Sequence, residues 1–87
     1  MASGTGYISE WTIQDIGGII HVCDGDHLVG DDVAFPFDEC SVDLQKILEK
    51  KSISEETDCP PPGGAVRVRF DFDIFEGDDL AVRVRLN

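Results

Sequence analysis

The chain has 87 residues, a hydrophobic share of 41% and a net charge of −11. That length fits one domain with a single modest core, and the composition excludes disorder as the dominant state. No run of about 18 apolar residues exists, which excludes a membrane-spanning helix, and the short polar start, Met1 to Gly6, lacks the basic and apolar segments of a secretory signal. Residues 1–5 read as a flexible lead-in and 6–87 as the folded domain.

Tyr7 to Ile13 carries the aromatic and β-branched types that suit a pleated surface and reads as a first strand. Gln14-Asp15 turns the chain into a second strand, Ile16 to Cys23, interrupted by Gly17-Gly18, where paired glycines mark a bend or a close backbone approach. Asp24-Gly25-Asp26 is turn chemistry. Asp32 to Phe37 reads as a third strand, with Pro36 at an edge or bulge because it cannot donate to a ladder.

Cys40 to Lys50 has a helical apolar stripe, Val42, Leu44, Ile47 and Leu48, with Ser41 or Asp43 as its cap. Residues 52–64 (SISEETDCPPPGG) form a long polar loop, expected to be the most mobile internal segment. The end of the chain is the clearest part. Val66, Val68, Phe70, Phe72 and Ile74 alternate with charged residues, as do Leu80, Val82, Val84 and Leu86 with Ala81, Arg83 and Arg85. Period two over this length means two half-buried strands joined by a hairpin at Glu76-Gly77-Asp78-Asp79. Five strands, with a short helix and long loop between the third and fourth, predict an all-β fold closed as a five-stranded OB-like barrel.

Charge is unevenly placed. Residues 1–45 hold nine acids and no Lys or Arg, so a surface built from them repels phosphate. The three cysteines, Cys23, Cys40 and Cys59, are widely spaced, odd in number and without a CxxC pair, so reduced thiols in the cytoplasm or nucleus are expected and no structural zinc site.

Four segments resemble motifs of one known family. Asp15-Ile16-Gly17-Gly18-Ile19-Ile20 is similar to the family's K-G-F-G-F-I motif and Asp32-Val33-Ala34-Phe35-Pro36-Phe37 to its D-V-F-V-H-F motif. Gly6-Tyr7-Ile8-Ser9-Glu10-Trp11 echoes G-T-V-K-W-F at the same spacing, and Ala81-Val82-Arg83-Val84 resembles the last strand. The chain in this way resembles the cold-shock domain family, which implies a barrel that stacks single-stranded RNA or DNA on aromatic side chains. Here those stacking positions fall on Gly17, Ile19, Ala34 and Pro36, none aromatic, and the leading lysines on Ser9 and Asp15. Each lost platform removes about 1–3 kcal/mol per base, which leaves at most weak single-stranded RNA binding.

The expectation is therefore a non-enzymatic cold-shock-like module that binds a protein partner within an RNA-related protein or complex. Trp11, Ile13, Ile19, His21 and Ala34 are its candidate partner-binding residues, with Trp11 and Ile19 outside the core. Arg67, Arg69, Arg83 and Arg85, on the outward face of the last hairpin, are candidates for anion binding, against simple pairing with Asp71 and Asp73. His21, Cys23, Asp24, Asp26 and His27 lie close in sequence but lack a recognised metal spacing. Acidic neighbours raise rather than lower the Cys40 thiol pKa. No catalytic residue, metal or cofactor is expected, and nothing in the chain calls for a membrane.

Overall fold

The computed structural model describes residues 2–26, 28–54, 59, 63–75 and 77–87. Among them run strand β1 (Ser3–Thr12), β2 (Gly17–Gly25), β3 (Asp32–Pro36), a 3-10 turn (Phe37–Glu39), helix α1 (Val42–Leu48), β4 (Ile53–Ser54), β5 (Arg67–Phe75) and β6 (Asp78–Leu86). The sheet order is β2-β3-β6-β5-β1-β4, and β1 also pairs with β2. Five strands thus close on themselves, and β4 is an added strand on Glu10 and Trp11. The closing contact is parallel, Ala34 on β3 against Leu80 on β6, extended by a parallel bridge from Cys40 to Val84. This is the OB-like barrel that the strand count predicts. β1 begins at Ser3 and pairs with Asp71, so residues 3–5 belong to the barrel rather than to a lead-in.

Bulges decide which side chains reach the core. Ile8 and Trp11 both lie in the core cluster although they are an odd number of residues apart. A regular strand would turn them to opposite faces. The register slips between Ile8 and Glu10, and the extra residue Ser9 brings Trp11 inward. On β6 the slip opposite Arg69 and Asp71 does the same for Ala81 and Val84. Arg83 carries the backbone distortion at that slip, with φ of 50°. The simple alternation of Leu80, Val82, Val84 and Leu86 is therefore replaced. Ala81 is in the core, while Val82 stands opposite Asp71, outside the core cluster. β5 keeps the alternation as far as Phe72, and Ile74 is exposed.

Two glycines let the walls meet. A Cβ on Gly6 would collide with the His21 carbonyl oxygen, and one on Gly18 with that of Glu10. Any larger residue there would push β1 and β2 apart.

Helix α1 plugs one end of the barrel. Ser41 caps it, accepting the Leu44 N–H at 3.4 Å. Leu44 and Leu48 are fully buried, each stabilising the fold by about 2–3 kcal/mol through apolar burial. The indole Nε1 of Trp11 donates to the Leu48 carbonyl at 2.8 Å, joining barrel and helix. Val42, the first residue of the predicted stripe, instead faces solvent. No helix among the described residues is long and apolar enough to cross a membrane.

Cys23 and Cys59 form a disulfide across 36 residues, with Cα atoms 5.8 Å apart. This corrects the expectation of reduced thiols and removes its ground for a reducing compartment. Cys23 is the extra residue of the β2 bulge opposite Thr5 and Gly6, so its side chain is free to turn outward and reach Cys59. Of the predicted mobile loop, residues 55–58 and 60–62 lie outside the described residues.

Closing a loop of this length lowers the entropy of the unfolded chain, an effect worth about 2–4 kcal/mol. Replacing both Cys23 and Cys59 by Ser is expected to lower the unfolding free energy by that amount in urea titration. An unchanged midpoint would show that the bridge carries no stability.

Candidate binding surface

Across the outer wall at one end of the barrel, Glu10, Ile19 and Ala34 stand side by side on β1, β2 and β3. They wall a groove of about 370 Å³ together with Thr12 and Asp15. Gly17, Gly18, Trp11 and Phe35 complete its lining. Ile19 is half-buried and Ala34 exposed.

The β1–β2 loop extends this surface. Ile13 is 56% exposed and Ile16 74% exposed, on either side of Gln14-Asp15. Ile16 has φ of 49°, a left-handed backbone that a β-branched residue rarely adopts. Three hydrogen bonds hold the loop, one of them from the Asp15 N–H to the Thr12 carbonyl at 3.2 Å. The Phe37 N–H donates to the Ile16 carbonyl at 2.9 Å, and the Thr12 hydroxyl donates to Asp15 Oδ2 at 2.7 Å. A second hollow of about 210 Å³ lies beside it, lined by Trp11, Ile13, Ile16, Phe37 and Glu49. Beneath it three rings stack, with Trp11 6.1 Å from Phe35 and 5.6 Å from Phe37.

The sequence candidates divide. Ile13, Ile19 and Ala34 come together at this surface. Trp11, expected outside the core, is 1% exposed and belongs to it, because the Ser9 bulge inverts its facing. It lines the groove from within the core rather than standing out as an anchor. His21 is buried. Its Nδ1 lies 2.9 Å from Asp32 Oδ1 and its ring 5.6 Å from that of Tyr7, so it is engaged within the fold. Ile16 and Phe37 were not singled out by sequence reasoning. The signal was there, since an isoleucine on each side of a two-residue polar turn has no strand neighbour to bury it.

The four arginines occupy the other end of the outer wall. Arg83 Nε donates to Asp71 Oδ2 at 2.6 Å, and Arg85 lies 4.0 Å from the same oxygen. The hydrogen bond from Arg83 and the positive charge of both arginines hold the Asp71 carboxyl below its usual pKa, and the same bond raises that of Arg83. Among the described residues no cluster of three metal-ligating side chains occurs. Cys23 is consumed by its disulfide, and His27 lies outside the described residues. No protein family, curated protein or solved structure matches the chain.

Cys40 is buried, and burial first, then the Glu39 charge, pushes its thiol up to about 12. A raised folded-state pKa favours the neutral thiol. Its contribution to stability is whole below pH 9 and is lost as pH climbs from 9 toward 12. The folded protein, with its disulfide intact, is expected to resist iodoacetamide at pH 8 and to take up one equivalent in urea. Fast labelling of the folded state would show an accessible thiolate.

Ile16 supplies a second check. Its left-handed backbone costs about 1–2 kcal/mol relative to an ordinary conformation, and its exposed side chain recovers little. Ile16→Gly is expected to leave the urea midpoint unchanged or raise it. A loss above about 1 kcal/mol would mean that the side chain packs into the fold.

Proposed function

We propose that this barrel is a non-enzymatic binding module whose partner is a protein, held at the groove of β1–β3 and the neighbouring loop. The observation that carries this reading is the exposure of Ile13 and Ile16 on a fixed loop beside an apolar groove, with acids and no Lys or Arg on β1 to β3. Apolar anchors inside a polar rim suit a protein surface. Glu10, Asp15 and Glu49 at the rims favour a partner with basic residues around its own apolar contact.

The resemblance to cold-shock domains makes single-stranded RNA the competing ligand, within an RNA-related assembly. Three features weigh against tight RNA binding. Ile19 and Ala34 occupy the groove where stacking rings would be needed, Trp11 is sunk in the core, and a phosphate backbone would meet Glu10 and Asp15.

Two measurements test this. Titration with mixed-sequence single-stranded RNA at physiological salt is expected to give a dissociation constant above about 1 μM. A tighter constant would return the module to RNA binding. A photo-crosslinker placed at residue 13 or 16 in source cells is expected to capture a discrete protein, and Ile19→Asp to abolish that product with the fold unchanged. Crosslinks to RNA alone would defeat the proposal, and so would a capture that Ile19→Asp leaves intact.

A further inference from the structure

The arginines stand in an arrangement that a merely solvated face does not require. Register places Thr5 of β1 opposite Arg69 of β5, and Arg69 opposite Arg85 of β6, so the three form a row across the wall. Arg67 lies two residues along β5, roughly 7 Å away and on the same face. Like charges directly opposed across strands destabilise a sheet. The left-handed Arg83 adds a second local cost at the same face, and such strain clusters at functional sites. The Arg83 slip matters because Ala81 faces the core. On a regular strand Arg83 and Arg85 would face the core with it.

Acids are abundant in this chain, with 18 against seven bases, yet among the described residues no carboxylate lies in ion-pair range of Arg67 or Arg69. Of the nearby acids, two are engaged by other groups and Asp24 lines the same hollow as Arg69 and Arg85. Asp71 is held by Arg83, and Asp26 Oδ2 accepts the Ser3 N–H at 2.9 Å. Arg69 and Arg85 open onto a hollow of about 510 Å³ that Ser3 and Thr5 also line. The Arg85 guanidinium is steadied by a 2.5 Å hydrogen bond from Nη1 to the Arg83 carbonyl.

We propose that this face binds a single phosphoryl group, with Arg69 and Arg85 as its cationic partners, Arg67 reaching in from a neighbouring hollow that Thr5 also lines, and the Thr5 hydroxyl as a further donor. Three guanidinium forks and a hydroxyl offer more donors than the two oxygens of a carboxylate can use, and a tetrahedral dianion uses them. The group must come singly. Asp24, Asp26 and Asp71 share the hollow with Arg69 and Arg85, and the net charge of −11 repels a run of phosphates such as a nucleic-acid backbone. The site is independent of the groove at the other end of the wall.

The test is an NMR titration of the whole oxidised chain at low salt, with inorganic phosphate, a phosphoserine peptide and oligothymidylate in separate arms. Saturable shifts of the Thr5, Arg67, Arg69 and Arg85 amides with phosphate are expected. Arg69→Gln and Arg85→Gln should each weaken binding by about tenfold, since charge-assisted hydrogen bonds are lost, and Lys46→Gln should not. Tighter binding of the peptide than of phosphate would name a modified protein as the source, and equal binding a free phosphomonoester. Oligothymidylate binding tighter than phosphate would overturn the proposal in favour of nucleic acid. Shifts that do not saturate, or that survive Arg69→Gln, would also overturn it and mean adventitious ion binding only.

Discussion

Closing five strands into a barrel forces the chain to bend where a regular ladder would stay flat, and the places where it bends decide what every later residue does. The β1–β2 ladder slips at Cys23 and again at Ser9, and the β5–β6 ladder slips at Arg83. Each slip inserts one residue and exchanges inward for outward beyond it. The Ser9 slip buries Trp11 against Leu48 of the helix and leaves Glu10 on the groove rim. The Cys23 slip offers a thiol to Cys59 on the outer wall. The Arg83 slip turns two arginines out of a strand whose alanine faces in. Core, disulfide and charged face are three consequences of one geometric requirement.

This explains how far the sequence could be read. The last two strands, the capped helix and the Gly17-Gly18 approach were legible because period-two alternation, a Ser cap and paired glycines are local signals. The fold class followed from counting them. The facing of Trp11 was not legible. Parity counts residues along a regular strand, and nothing in Ile8-Ser9-Glu10 announces that one of them will be left unpaired. The same blind spot placed Val82 with the core residues when Ala81 takes that position. The Cys23–Cys59 pairing was hidden for a different reason. With three cysteines and no geometry, each pairing is as open as none.

The candidate surface was legible in part, for the same reason. Ile19 and Ala34 sit on β2 and β3 at points no slip disturbs, so their outward facing follows from the alternation of Ile20, Val22, Val33 and Phe35 in the core. His21 shares that outward parity, yet Tyr7 and Asp32 engage it on the wall. Outward is not the same as exposed, and the difference is set by what packs on the outside of the barrel, which a strand pattern does not encode.

The outer wall of β1 and β2 is consequently divided. Tyr7, Ser9 and His21 are buried along its middle, and Cys23 next to them is tied to Cys59. Beyond Tyr7 in one direction come Thr5 and the arginine row, and in the other Glu10, Ile19 and the isoleucines of the loop. The two ends differ in kind. One presents guanidinium groups among acids, and the other presents apolar side chains with acids at the rim. An anion attracted to the first is repelled by the second. The buried strip between them keeps the two surfaces from merging into one groove, so a ligand at one end gains no contact at the other. A barrel of this size thereby presents two surfaces of opposite chemistry on a single wall, separated by one pair of aromatic rings and one disulfide.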